Sequence, residues 1–281
     1  MHATTDVRLL VPLLFGASAG AGVLGALTGL GGGVVIVPLL TLAFGVNIRY
    51  AVGASLISVM ATSSGAAAAY LREGYTNIRV AMLLEIATTA GALAGAHAAS
   101  LVKTSAIAIV FGVVLAVSAL ISLRRRAAQQ SDAPDRLAAR LRLDGTLPTA
   151  AGPKPYHVRR VPLGFGLMFA AGGLSGLLGI GSGAVKVLAM DDAMYLPFMV
   201  ATTTSNFMIG VTAAASAGVY FARGYIDPIL ACPVMLGVLL GALIGARLLT
   251  VASGRALRFL FAAVILAMAG EMIAGGITGR L

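Results

Sequence analysis

Charge is what this chain lacks most. Asp, Glu, Lys and Arg together make up 11% of its 281 residues, against about 25% in soluble globular proteins. That is too little to cover a water-soluble fold of this length. The shortage is also concentrated, because residues 9–37 and 51–71 carry no charged side chain at all. About 20 helical residues cross a hydrocarbon core roughly 30 Å thick, so the chain reads as an all-α integral membrane protein. Trp is absent and Cys232 is the single cysteine, which excludes an intramolecular disulfide and any cysteine-cluster metal site. No Gly-Lys-Ser/Thr sequence occurs, so a phosphate-cradling loop is excluded. Neither His/Glu metal spacing nor a nucleophile elbow is present, and an enzyme and a cofactor are not expected.

What is abundant is glycine, 36 residues, and the net charge is +10. Nine of the 20 Lys and Arg lie between Arg124 and Arg160, against three acidic residues there. Basic residues gathered in one short loop are the signature of a cytoplasmic loop; a lipid- or nucleic-acid-binding patch is the alternative. The start of the chain imitates a cleaved signal peptide, with Arg8, an apolar run and Ala17-Ser18-Ala19. The repeat argues against cleavage, because residues 20–33 have a counterpart deep in the chain.

A shift of 150 residues superimposes two halves without a gap. Gly29-Leu30-Gly31-Gly32-Gly33 falls on Gly179-Ile180-Gly181-Ser182-Gly183, Ser55 on Ser205, Tyr70 on Tyr220 and Gly74-Tyr75 on Gly224-Tyr225. Gly91 and Gly95 fall on Gly241 and Gly245. Matching tyrosines at one fixed offset mark a duplication. Each half holds five apolar segments: about 9–28, 34–45, 51–71, 78–100 and 104–123, then 163–178, 184–200 with two acids inside, 201–222, 226–249 and 256–273. The expected organisation is a first membrane repeat over 1–123, a basic cytoplasmic linker over 124–161 and a second membrane repeat over 162–281.

The second segment of each half is odd. As a helix, 34–45 would be only about 18 Å long; its counterpart is interrupted by Asp191 and Asp192, and both follow a glycine-rich break. Short, Gly-broken half-helices at matching places in two halves point to a transporter binding site. If every segment crosses, the halves are inverted repeats, the preferred arrangement. If the short segments re-enter on one side, each half has four crossings and the halves are parallel. Either way fourteen basic residues lie inside and five outside, with Lys186 left in the membrane, so charge does not choose between them.

Candidate site residues follow from these breaks. Freed N–H groups at Gly31, Gly32, Gly33, Gly181, Ser182 and Gly183 would face an anion at the positive end of a half-helix. The same glycines would equally serve close helix packing, the expected role of Gly91/Gly95 and Gly237/Gly241/Gly245. A dinucleotide site is excluded for want of a preceding strand and a following acid. Lys186 stands three residues after Gly183, where an unpaired cation is costly, and would complete a positive pocket; pairing with Asp191 or Asp192, or snorkelling, are its alternatives. Thr202-Thr203-Thr204-Ser205-Asn206 aligns with Val52-Gly53-Ala54-Ser55-Leu56, so the scaffold does not demand its polarity. Thr203, Thr204, Ser205 and Asn206, with Ser55, would replace water around an oxyanion, or cap and tie helices. Ser58, Thr28 and Ser175 are weaker candidates. Glu85, inside a span, is a candidate for proton coupling or for structural pairing; Glu271 is of the same kind, and His97 is expected at the interface.

Gly29-Leu30-Gly31-Gly32-Gly33-Val34-Val35-Ile36-Val37-Pro38 resembles the first-half signature of the sulfite exporter TauE/SafE family. Gly179-Ile180-Gly181-Ser182-Gly183-Ala184-Val185-Lys186-Val187 resembles its second-half counterpart, with Ser182 in place of the middle glycine and Leu188 where the first half has Pro38. Residues 202–212 and Gly224-Tyr225-Ile226-Asp227-Pro228 look like one branch of that family. The resemblance covers both halves and not the linker. It implies a multi-pass permease of the inner membrane of a bacterium or archaeon, moving sulfite, organosulfonates or related small anions outward.

The expected function is therefore secondary export of a small sulfur oxyanion by alternating access at a central site. A passive anion channel, or a non-transporting subunit that docks partners through the basic linker, are the alternatives. Expected partners are the small anion, membrane lipid and a second copy of the chain, and no nucleic acid. Removing residues 129–152 is expected to leave a permease largely working and to destroy a docking subunit.

Overall fold

Segments rich in Ala, Leu, Val and Gly with no period-two alternation have no reason to form strands, and they fold as helices. The computed structural model describes residues 7–28, 33–72, 74–123, 135–148, 152–249 and 254–280. The first half comprises α1 (Val7–Thr28), α2 (Gly33–Pro38) running on through a π-helical turn (Leu39–Ala43), α3 (Ile48–Arg72), α4 (Ile78–Leu101) and α5 (Thr104–Leu123). The linker forms α6 (Arg136–Arg140) and two short strands, β1 (Gly145–Leu147) and β2 (Lys154–Tyr156). The second half comprises α7 (Val161–Leu178), α8 (Gly183–Leu188) with its own π-helical turn (Ala189–Ala193), α9 (Phe198–Ala222), α10 (Pro228–Leu249) and α11 (Gly254–Ile277). Both half-helices, both π turns, and α3 with α9, match at an offset of 150 residues. Loop bonds match as well: Val46 N donates to Leu40 O and Leu196 N to Met190 O, each at 3.0 Å.

Four described segments, Ile78–Leu101, Val161–Leu178, Phe198–Ala222 and Pro228–Gly245, are long and apolar enough to cross a bilayer. Their outer faces expose Met82, Ile86, Phe221 and Leu243 by more than half. Apolar surface on that scale is compatible with lipid and not with water. The chain is a multi-pass α-helical membrane protein.

Lipid offers helices no hydrophobic reason to associate, so close packing between small residues holds them together. Gly91 and Gly95 of α4 press against Phe169 O and Gly173 O of α7, while Gly172 and Gly176 of α7 press against Thr88 O and Ala92 O of α4. Gly237 and Gly241 of α10 meet Phe15 O and Ala19 O of α1 in the same way. In both pairs the residue numbers rise together, so the helices run parallel. α5 and α11 run antiparallel: a Cβ on Gly112 would lie 2.7 Å from Ala269 O, and one on Gly276 would lie 2.7 Å from Ser105 O. Between these pairs, α3 and α9 cross at the centre.

The linker corrects two sequence expectations. It contains strands, an antiparallel pair with Gly145 opposite Tyr156, where a polar linker in an all-α protein was expected. It is also folded onto the membrane part. Leu143, Tyr156 and Val158 are buried with Val80, Ala81 and Leu84 of α4, and Asn77 Nδ2 donates to Leu143 O (2.8 Å) and Tyr156 Oη (2.9 Å). Asp144 accepts from Val158 N at 2.8 Å and lies 3.1 Å from His157 Nδ1. The prolines and charges of 124–161 hid the few apolar residues that anchor it. Removing residues 129–152 would take away β1 and Leu143, so the protein is expected to lose thermal stability and not merely a tether.

The packing generates a paired prediction. Gly95→Ala should destabilise the protein by about 1–3 kcal/mol through forced separation of α4 from α7. Gly20→Ala, where an added Cβ meets nothing within 4 Å, should be neutral or slightly stabilising. Thermal unfolding in detergent compares them, and equal effects would refute the close-packing account of Gly95.

Candidate functional site

Gly29 to Gly32 lie outside the described residues, so Gly31 and Gly32 receive no placement. The rest of the two breaks meets at the centre. Ser55 Oγ of α3 donates to Gly179 O at 2.8 Å and is 3.4 Å from Gly33 O. Ser205 Oγ of α9 is 3.3 Å from Gly183 O, the repeat-equivalent contact to that between Ser55 and Gly33. Each long helix thus holds the first turn of its own half-helix, and Ser55 also reaches the other half. A Cβ on Gly33 would lie 3.1 Å from Gly179 O, and one on Gly181 would lie 2.9 Å from Ile209 and 3.2 Å from Val59.

The second break is built from left-handed backbone, with φ of +70° at Gly179, +68° at Gly181 and +45° at Ser182. Glycine adopts this region freely, whereas serine is strained there. Ser182 is buried, and its hydroxyl has no hydrogen-bond partner among the described residues. A strained residue with an unused polar group marks a place where folding has been subordinated to something else.

Four residues beyond Ser182, Lys186 is completely buried. Its Nζ donates to Thr212 Oγ1 of α9 at 2.6 Å. Thr212 Oγ1 lies 2.8 Å from Glu85 Oε1 of α4 and 2.9 Å from Met208 O, which compete for its one hydroxyl proton. Thr89 Oγ1 donates to the same Glu85 oxygen at 3.0 Å, while Glu85 Oε2 is buried without a partner among the described residues. Three helices therefore bring a cation, a hydroxyl and a carboxylate into one line. The charged group acting on Lys186 is Glu85, not Asp191 or Asp192, and the side chain does not snorkel. At the repeat-equivalent positions stand Ile36, Thr62 and Met235. The fold accepts apolar residues there, so the charges are not part of its architecture.

The other expected site residues are placed differently. Thr203 Oγ1 is within reach of Met199 O (3.0 Å) and Tyr75 O (3.1 Å), and Thr204 Oγ1 accepts from Asn77 N at 3.1 Å. Both tie the start of α9 to the α3–α4 turn beneath the linker, eight to nine residues from Thr212, which is about 12–14 Å along the helix. Thr202 bonds its own helix at Phe198 O. Asn206 is half-buried, and its side chain makes no hydrogen bond among the described residues. Glu271 is exposed. Thr212 was missed as a site residue, although it lies seven positions after Ser205 and so on the same face of α9.

At the opposite end from the linker, the closure is cationic. Arg49 Nη2 donates to Val102 O at 3.0 Å and its guanidinium lies 5.7 Å from the centre of the Tyr225 ring. Arg223 Nη1 donates to His97 O at 3.2 Å, with Nη2 3.1 Å from His97 Nδ1. Tyr220 and Ser100 lie beside the two arginines at this end.

A profile of the family described as sulfite exporter TauE/SafE matches residues 14–272. The chain belongs to the sulfite exporter TauE/SafE family. Curated relatives of this TauE/SafE member are membrane transporters by description. The probable membrane transporter protein YunE of Bacillus subtilis (strain 168) is 26% identical over 235 residues, covering 81% of this chain and 84% of the relative. YdhB of the same organism, another probable membrane transporter protein, is 27% identical over 227 residues, covering 80% and 85%. A probable membrane transporter protein of Xylella fastidiosa (strain 9a5c) is 26% identical over 246 residues, covering 86% and 87%. No solved structure matches the chain.

Ser182 yields the test of this geometry. Ser182→Gly relieves left-handed strain worth about 1–2 kcal/mol and should raise the unfolding temperature. If the spare hydroxyl serves a ligand, the same variant should transport less. A variant both less stable and fully active would contradict the reading of Ser182.

Proposed function

We propose that the protein is a secondary transporter of a small anion of the sulfite and organosulfonate class, exporting it across the cytoplasmic membrane of a bacterium or archaeon by alternating access. One observation carries this reading: a fully buried lysine whose charge the repeat-equivalent scaffold does without. An isolated cation at bilayer depth costs at least about 2.5–3.5 kcal/mol, so such a residue is retained for what it binds. Ser182, with its uncommitted hydroxyl, sits one helical turn away on the same half-helix. Ser55 and Ser205 hold the two breaks together at the level of the site. Family membership and the transporter relatives support the transport class, and the family description supports the anion.

The repeat arrangement we favour is inverted. α5 and α11 occupy equivalent places in the two halves, yet run antiparallel where they touch. Parallel repeats would align them in one direction, whereas inverted repeats oppose them. The same arrangement sends α1 and α3 the same way, so α2 with its π turn must return across the membrane between them. Both ends of the linker then emerge on one side, where its basic residues mark the cytoplasm.

In proteoliposomes, the protein should drive labelled sulfite uphill against its own gradient when unlabelled sulfite flows the other way. A channel cannot do this. Lys186→Ala should abolish this counterflow while thermal unfolding shows that the protein remains folded. Wild-type counterflow in Lys186→Ala would remove Lys186 from the site, and downhill flux without counterflow would favour a channel.

A further inference from the structure

The carboxylate of Glu85 is held by the groups that a transported anion would need. Its Oε1 lies 2.8 Å from the Thr212 hydroxyl and 3.0 Å from that of Thr89, and Thr212 receives Lys186 at 2.6 Å. A sulfonate or sulfite is a ligand of the same kind, with negatively charged oxygens that accept from hydroxyl and ammonium groups. Thr212 has a single hydroxyl proton to give, so it serves the carboxylate or the anion and not both. Glu85 Oε2 makes no compensating bond among the described residues, which leaves the carboxylate attached by one oxygen only.

We infer that Glu85 is a tethered stand-in for the transported anion, and that an anion displacing it obliges Glu85 to take up a proton, so that one proton moves with each anion. The inference rests on the anion-transport reading above. Its physical basis is charge balance in a place of low dielectric. With the anion bound and Glu85 still ionised, two negative charges would share one ammonium, and the displaced carboxylate would be buried without its partner, at a cost of several kcal/mol. Protonation gives a neutral carboxyl. The site then holds Lys186 and one monovalent anion, with the same net charge as Lys186 and the carboxylate held before. When the anion leaves, the proton leaves Glu85 and the carboxylate returns to Thr212. No other bond is made or broken.

The surroundings single out Glu85 for this exchange. The charged side chain acting on its carboxylate is Lys186, and its hydrogen-bonding neighbours are Thr89 and Thr212. α7, packed along the same face of α4, has no ionisable residue between Val161 and Leu178. α9 has Tyr220 alone, eight residues beyond Thr212, about 12 Å away along the helix. Asp191 and Asp192 lie in the π turn beyond α8, with Asp192 exposed. Of the linker groups, Asp144 and His157 pair with one another, and Arg79 of α4 donates to Arg142 O at the linker end. The repeat-equivalent place keeps a hydroxyl in Thr62 but has Ile36 and Met235 where the two charges stand. It could bind no anion and carry no proton by this means. Export under the coupled cycle requires the outward anion ratio to exceed the inward proton ratio.

The test uses the full chain in proteoliposomes loaded with a pH-sensitive dye. Methanesulfonate and ethanesulfonate serve as probes because both are monovalent, fully ionised near neutral pH and carry no proton of their own. Wild-type protein should acidify the compartment that the anion enters, at one proton per anion. Glu85→Gln should abolish this proton movement and lower the half-saturating anion concentration by about tenfold, since the internal competitor is gone. Glu85→Asp, which keeps the acid, should retain proton movement and serves as a second variant where Gln does not fold. Anion flux through wild type without proton movement overturns the inference and leaves the transport proposal standing. Absence of flux with sulfite and both probes overturns the transport proposal and this inference together. Proton movement that survives in Glu85→Gln assigns the coupling to another group and also overturns it.

Discussion

A charge buried at membrane depth must be answered locally, and in this protein the answer is spread over three helices. Lys186 from α8, Thr212 from α9 and Glu85 from α4 form one hydrogen-bonded line. The line exists only if the short helix α8 enters the bundle at the correct depth and angle. That depth is set by the left-handed residues at Gly179, Gly181 and Ser182 and by the contact of Ser205 with Gly183 O. It also requires α4 to lie close to α9 and α7, and Gly91, Gly95, Gly172 and Gly176 allow the approach of α4 to α7. Breaking a buried pair by removing one member costs about 3–5 kcal/mol. The glycine-lined packing thus acts partly in service of the charge pair.

Much of the architecture was legible because it rests on arithmetic that a sequence displays. The 150-residue offset placed the half-helices and long helices at matching positions, and the structure has them there. Lys186 stood out because a lone cation in an apolar run has few explanations. Its partner was less visible. Glu85 is 101 positions away and Thr212 is one hydroxyl among several on α9, so nothing local in sequence joins them; only the packing of α4 on α9 does. The expected cluster Thr203–Asn206 shows the converse failure. Consecutive polar residues on a helix point in different directions, and Thr203 and Thr204 face the α3–α4 turn while Ser205 faces the break. The linker failed for a third reason. Its anchoring residues, Leu143, Tyr156 and Val158, are too few to register against a polar, proline-containing background.

Duplication also supplies an internal comparison that single chains usually lack. Where Lys186 and Thr212 of the second half meet Glu85 of the first, the repeat-equivalent positions are Ile36 and Thr62 of the first half and Met235 of the second, and Ile36 is as completely buried as the lysine. Both sets fold into equivalent elements, so the scaffold tolerates either. The charged set costs desolvation that the apolar set avoids, and continuum reasoning on buried pairs predicts little or no net stability in return. Chemistry has therefore been concentrated at one of two repeat-equivalent places, each built from both halves.

The two mouths of the bundle differ by the same logic. Thr203 and Tyr75 O meet on the linker side, and the equivalent contact on the far side brings Gly53 against Tyr225 O with no side chain between them. Asn77, capping α4, also gathers Leu143 and Tyr156 of the linker, whereas its counterpart Asp227 caps α10 alone in the bonds it makes through Ile229 N. Arg49 and Arg223 hold the far mouth by bonds to carbonyls at the end of α4; the residue equivalent to Arg49 is Met199. A carrier built from two identical halves would open to either side at equal cost. Under the proposed alternating access, one mouth would break neutral hydrogen bonds to a folded linker and the other charge-assisted bonds to helix carbonyls, so the two openings would differ in free energy. On that proposal, sidedness arises from what decorates the repeat and not from the repeat itself.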